Sequence, residues 1–188
     1  MDALMAALVA ALLAQATDRT PWLAAILATR FARPGAVIIG TALALAIGNA
    51  VAAACGMLIA PHMSPNARDL FLAVALIFAG AACLVPVKRP ERLDGWRIGA
   101  FATSLFGIGI LALGDRSQFI TMAITARSPS PVLAAVGATI GSLAVNIPAI
   151  LAGEDARRHL PLTAARYAVA ALFLIAGCIF ALGAIRLI

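Results

Sequence analysis

Gln15-Ala16-Thr17-Asp18-Arg19-Thr20-Pro21 and Ala112-Leu113-Gly114-Asp115-Arg116-Ser117-Gln118 are the two stretches that decide the fold. Each sets an Asp-Arg-hydroxyl triplet into apolar sequence, and the triplets lie 97 residues apart (115 − 18 = 97). The spacing runs on without a gap. Arg30 falls on Arg127, Pro34 on Pro131, Gly40 on Gly137, Asn49 on Asn146, Ala52 on Ala149, Gly56 on Gly153, and Ala79-Gly80 on Ala176-Gly177. An internal repeat that twice sets ionisable residues in apolar surroundings is the signature of a transport pathway.

Of the 188 residues, 63% are hydrophobic and 12% are charged, and the mean hydropathy is +1.03. A soluble domain carries about 25% charged residues, so this composition belongs to an integral membrane protein. Six apolar stretches are read, roughly 3–29, 35–60, 70–87, 98–126, 132–152 and 167–187, each able to supply the roughly 20 residues of a span. The runs are Ala/Leu-rich and lack the alternation of barrel strands, which predicts six transmembrane helices in an all-α fold. The uncharged run Ala3–Thr17 would rise only about 22 Å against a hydrocarbon core of about 30 Å. The first span is therefore expected to continue through Asp18-Arg19 to Thr29, and the fourth through Asp115-Arg116 to Ala126, with the charges well inside. Pro21 should kink or open the first span and free backbone carbonyls.

The net charge of +6 and the pI near 10.6 suggest nucleic acid only at first sight. Most Lys and Arg lie between the apolar stretches, with neither a basic tail nor an aromatic-interleaved patch, so that partner is excluded. Cys55, Cys83 and Cys178 fall within apolar spans at spacings that match no metal or redox motif, and they read as small buried hydrophobes. His62 and His159 read as single loop residues on opposite sides of the membrane. Ala14-Gln15-Ala16 resembles a signal-peptide cleavage site. Asp2 and the lack of an early Lys or Arg argue instead for the first half of a retained helix. Glu154-Asp155, ahead of Arg157-Arg158, reads as a solvated loop.

Loop charges orient the chain. One side holds Arg30, Arg33, Lys88, Arg89, Arg92, Arg97, Arg157, Arg158 and Arg166; the other holds only Arg68, Arg127 and Arg186. By the positive-inside rule the richer side is cytoplasmic and both termini face outward. Residues 88–97 form a polar linker between a first three-helix repeat, 1–87, and a second, 98–188. An odd number of spans per half makes the repeats inverted. A pseudo-two-fold axis in the membrane plane then brings Asp18 and Asp115 together at mid-depth.

A carboxylate at mid-membrane costs on the order of 3 kcal/mol and needs a partner, a cavity or a proton. Asp18 and Asp115, with Thr20 and Ser117, make a hard-oxygen cage of the kind favoured by Mn²⁺ and Ca²⁺. Gln15, Thr17, Gln118 and the paired Asn49 and Asn146 are further oxygen donors. Protonation of the same carboxylates would release the metal and give antiport. Asp18 and Arg19 point about 100° apart on a helix and do not pair within one motif. The cross-pairs Asp18–Arg116 and Asp115–Arg19 are the structural alternative. For Asn49 and Asn146, interhelical hydrogen bonding competes with ligation. Gly40/Gly137 and Gly56/Gly153 read as close-packing positions.

The twin motifs, each followed by a short apolar run to Arg30 or Arg127 and then a Pro, resemble uncharacterised protein family 0016. That family includes the Golgi transmembrane manganese/calcium transporter and belongs with the lysine-exporter superfamily. Its repeats open with Glu-x-Gly-Asp-Lys/Arg-Thr/Ser. The resemblance covers nearly the whole chain and implies Mn²⁺ or Ca²⁺ export in exchange for protons, with the motif carboxylates as ligands. Here Gln15 and Ala112 stand where the family has Glu, and Thr17 stands where it has the first Gly. Two Asp then face two Arg, so the central charge sums to zero and a divalent cation is held less tightly. Three readings follow: divalent cation/proton exchange in a bacterial inner membrane, transport of a monovalent ion or small zwitterion such as an amino acid, or a non-transporting scaffold. No Ser–His, His–Glu or paired-Glu catalytic set suggests an enzyme, and neither a cofactor nor an oligomeric state is indicated.

Overall fold

Proline punctuation and small-residue faces build the chain into helices. The computed structural model describes residues 2–158 and 162–185, and the side chains of all of these except 155–158 and 162. Among these residues eight α-helices follow in order: α1 (Asp2–Ala16), α2 (Thr20–Phe31), α3 (Pro34–Ile59), α4 (Pro65–Leu84), α5 (Ala100–Ala112), α6 (Arg116–Arg127), α7 (Pro131–Arg158) and α8 (Leu162–Ala184). Pro34, Pro65 and Pro131 each open a long helix, where the missing N–H is not needed and φ is already helical. Ser64 completes one such start by accepting from the Ala67 N–H at 3.2 Å. Expectations for His159 and Arg186, and for the side chains of Asp155, Arg157 and Arg158, lie outside the described residues.

Among the described residues four helices can cross a membrane by length and composition: Pro34–His62 (counting the 3₁₀ turn Ala60–His62), Pro65–Leu84, Pro131–Glu154 and Thr163–Ala184. Asp2–Ala16 and Ala100–Ala112 are shorter apolar helices. The expected single helices over 3–29 and 98–126 are corrected: each stretch holds two separate helices, α1 and α2 in the first and α5 and α6 in the second. The breaks are equivalent turns, with Asp18 N–H donating to Gln15 O at 3.1 Å and Asp115 N–H to Ala112 O at 3.0 Å. Pro21 lies in the first turn of α2, where it starts a helix rather than kinking one. Gly114 adopts φ +76°, which an L side chain resists, just before α6.

Helix packing follows the 97-residue spacing. α1 lies on α7 and α5 on α3; α2 also lies on α7 and α6 on α3; α4 lies on α8. At the contacts small residues let backbones approach, which drives association where lipid offers no hydrophobic gain. A Cβ at Gly40 would meet the Phe101 carbonyl, and one at Gly137 the Leu4 carbonyl. A Cβ at Gly80 would meet Ala170 O and the Leu174 side chain, and one at Gly177 would meet Ala73 O and Ile77. The paired positions differ by 97 on both sides of each contact. Gly137→Ala should therefore lower stability by about 1–3 kcal/mol through overpacking. Gly183→Ala, which meets open space, should not, and thermal unfolding in detergent compares them.

Gly56 packs as expected, against Met122 and Thr125. Gly153 does something else. At φ +73° it breaks α7 and turns Glu154 inward. The solvated-loop reading of Glu154 is corrected, since it is buried and ion-paired with both Arg89 and Arg92 of the linker. Arg30 grips the same linker, donating to the carbonyls of Arg92 (3.2 Å), Leu93 (2.5 Å), Asp94 (3.1 Å) and Trp96 (3.0 Å). Because Arg89 and Arg92 are about half exposed, Glu154→Gln should cost about 1–2 kcal/mol. Faster trypsin cleavage after Arg92 would report the loosened linker. Cys55 and Cys178 also depart from expectation. They are exposed on the helix surface, and only Cys83 is buried.

Candidate functional site

The two breaks put backbone ends and carboxylates in one place. Asp18 Oδ2 accepts from the Thr20 hydroxyl at 2.6 Å and the Thr20 N–H at 3.1 Å. Asp115 Oδ2 does the same with Ser117, at 2.8 Å and 3.3 Å, and so caps α6. The same Asp-x-hydroxyl geometry is thus built twice, and it fixes one oxygen of each carboxylate. Asp18 and Asp115 both line a cavity of about 270 Å³, together with Arg19, Arg116, Gly114 and Leu111. Phe78, Ala82 and the stretch after α4, Val85–Val87, close another side. Thr20 and Ser117 orient the carboxylates with their hydroxyl protons, and both lie buried behind them rather than on the cavity wall.

The arginines are not equivalent. Arg116 is 6% exposed and reaches Asp18 Oδ1 at 3.7 Å. It also donates to Ala14 O at 3.1 Å, Thr17 Oγ1 at 3.0 Å and Cys83 Sγ at 3.3 Å. The Ala14 carbonyl is one that the break in the first span frees. Arg19 is exposed, and among the described residues no ion pair joins it to Asp115. One expected cross-pair forms and the other does not. Arg19 instead stands between the 270 Å³ cavity and a second one of about 410 Å³, lined by Lys88, Arg89, Glu91 and Trp96 of the linker.

The remaining polar residues make one buried chain and two separate contacts. Gln15, fully buried, donates to Ser117 Oγ at 3.3 Å and accepts from Asn146 Nδ2 at 3.1 Å. Asn146 Oδ1 is buried with no partner. Asn146 thus joins the site through Gln15, whereas Asn49 bridges α3 to Thr139 of α7 at 3.2 Å. Gln118 Oε1 accepts from the Gly114 N–H at 3.3 Å and braces the second break. Among the described residues no three His, Cys, Asp or Glu gather as a resident metal centre would require. From sequence, the linker, Cys83 and Glu154 have no part in a site and read as a connector, a small buried hydrophobe and a solvated loop. Glu154 carried a faint signal, as an acid directly after a repeat-paired Gly.

A family model described as "Divalent cation/proton antiporter GDT1" matches the chain in two segments, residues 3–91 and 100–187. The chain is 29% identical over 180 residues to a protein of Vibrio cholerae serotype O1 named "Putative manganese exporter", covering 93% of this chain and 88% of the relative. No solved structure matches. The two segments take in both Asp-Arg motifs and nearly all of the chain, and what they match is a family of transporters, not of enzymes. The chain belongs to the divalent cation/proton antiporter family GDT1.

Proposed function

We propose that this chain exchanges a divalent cation, Mn²⁺ in first place and Ca²⁺ in second, for protons across a bacterial inner membrane. Asp18 and Asp115 are the central ligands, with Thr20, Ser117, Gln15 and Gln118 as secondary oxygen donors. The observation that carries the reading is the pair of repeat-related carboxylates on one cavity at two helix breaks. Discontinuous helices that meet at a carboxylate pair are how transporters put a hydrated ion's replacement ligands inside a bilayer. Hard, oxygen-only donors favour Mn²⁺ and Ca²⁺ over softer metals. The name of the Vibrio cholerae relative favours Mn²⁺ and outward movement. A proton on either carboxylate cancels the charge that holds the cation, so one site serves both ions in turn.

On this reading α1 with α2, and α5 with α6, are broken spans, and the molecule has six spans in two inverted repeats, 1–87 and 98–188. The reciprocal helix pairings and the 97-residue spacing of glycine contacts support it. So does the match in two segments on either side of the linker. Both termini face outward, and linker 88–97 is cytoplasmic. Purified protein in liposomes should move Mn²⁺ against an imposed pH gradient, and a protonophore should collapse that flux. Folded protein that moves no divalent cation would sink the reading. A C-terminal tag found in the cytoplasm would sink the orientation.

A further inference from the structure

Two arginines that the sequence makes equivalent occupy different places, and the difference has a built cause. The Arg116 guanidinium meets four groups, Ala14 O, Thr17 Oγ1, Asp18 Oδ1 and Cys83 Sγ, all from the first half of the chain. Moving each by 97 gives the groups Arg19 would meet in a mirrored arrangement: Leu111 O, Gly114, Asp115 and Phe180. Gly114 offers no side chain and Phe180 no hydrogen-bond acceptor, so half of the seat is missing. Arg116 has a tailored seat on Asp18, and Arg19 has none on Asp115.

We propose, resting on the exchange reading above, that Arg116 is a tethered cation that competes with the transported ion for Asp18. With the site empty it fills the place of the second charge on the carboxylate pair. A divalent cation that bridges Asp18 and Asp115 must push it out. Arg116 is a positioning residue, since it sets which carboxylate is available and when. The seat is also imperfect, for the Arg116 Nε is buried without a partner. That makes expulsion by a doubly charged ion feasible. Inverted repeats exchange conformations as access alternates. Because Arg19 lacks a matching seat, the empty carrier rests in the arrangement described here.

The test uses purified full-length protein with Cys55→Ala and Cys178→Ala, leaving Cys83 as the single thiol. Mn²⁺ binding is measured by titration, and Cys83 labelling by a small maleimide. Arg116→Gln should bind Mn²⁺ about 10-fold more tightly than its parent, a shift of roughly 1.4 kcal/mol. Arg19→Gln should stay within about twofold. Mn²⁺ should speed Cys83 labelling in the parent, since the guanidinium that covers the thiol is displaced. Equal tightening by Arg19→Gln and Arg116→Gln would overturn the proposal, because bulk charge then explains both. Labelling that Mn²⁺ leaves unchanged would also overturn it. If Arg116→Gln fails to fold, Arg116→Lys keeps the charge but loses the fork. It should tighten binding about threefold, and unchanged affinity would overturn the proposal. If the parent binds no Mn²⁺, the exchange reading fails rather than the seat. Faster Cys83 labelling in folded Arg116→Lys than in Arg19→Lys would then uphold the seat, and equal labelling would reject it.

Discussion

Asp115→Asn should yield a folded protein whose exchange of Mn²⁺ for protons has fallen by at least roughly 100-fold, the equivalent of about 3 kcal/mol for one lost charge at a buried pair. The side chain caps α6 through Ser117, and an Asn oxygen keeps that cap. The fold loses little, whereas the ion loses a charged ligand and the proton loses its acceptor. Asp18→Asn should behave differently because Asp18 also faces Arg116. It should stop flux and leave a buried guanidinium with only the neutral acceptors of Ala14, Thr17 and Cys83. Stability should fall by about 1–3 kcal/mol. Adding Arg116→Gln should restore thermal stability to Asp18→Asn without restoring flux. This split separates a transport role from a scaffold, in which both Asp would matter to stability alone. Flux in Asp115→Asn within a few-fold of its parent would exclude that carboxylate as a ligand.

The 97-residue spacing carried a great deal of this in advance. It paired Asp18 with Asp115, and they share a cavity. It also paired Gly40 with Gly137, and each lies under a carbonyl, of Phe101 and of Leu4, that the same spacing pairs. Hydropathy, by contrast, could not show that the first and fourth spans break at the Asp. An apolar window reads two half-helices and one long helix alike, and only Pro21 and Gly114 hint at the interruption. The fates of Arg19 and Arg116 were invisible for another reason. Both sit in an equivalent Asp-Arg-hydroxyl triplet, and what separates them is Thr17, whose place against Gly114 says nothing by itself of a contact to Arg116, and Cys83, remote in sequence. Glu154 was misread because it stands beside charged neighbours that mimic a loop, while its partners Arg89 and Arg92 come from the linker more than 60 residues earlier.

Restoring the family's glutamates should have opposite effects in the two halves. Gln15→Glu should tighten Mn²⁺ by about 10- to 100-fold, the 1.5–3 kcal/mol typical of a hydrogen-bonded charge. It should also add a proton to each exchange cycle. Gln15 is already in a polar chain, accepting from Asn146 and donating to Ser117. A protonated Glu reproduces both bonds; a bound cation replaces the proton. Ala112 has no such setting. It is 2% exposed and packed in an apolar cluster with Leu23, Leu27, Leu45 and Ile108. Ala112→Glu should cost about 1–3 kcal/mol from overpacking alone, and more if the carboxyl ionises there. The double variant should therefore be less stable than Gln15→Glu. Proton-to-metal ratios from paired pH and Mn²⁺ fluxes in liposomes, with unfolding temperatures, test both halves. A Gln15→Glu variant with unchanged affinity and ratio would mean that Gln15 holds the site's shape without facing the ion. Two halves that began as copies would then differ in more than their arginines: one still has a polar setting for the lost acid, and the other has packed it away.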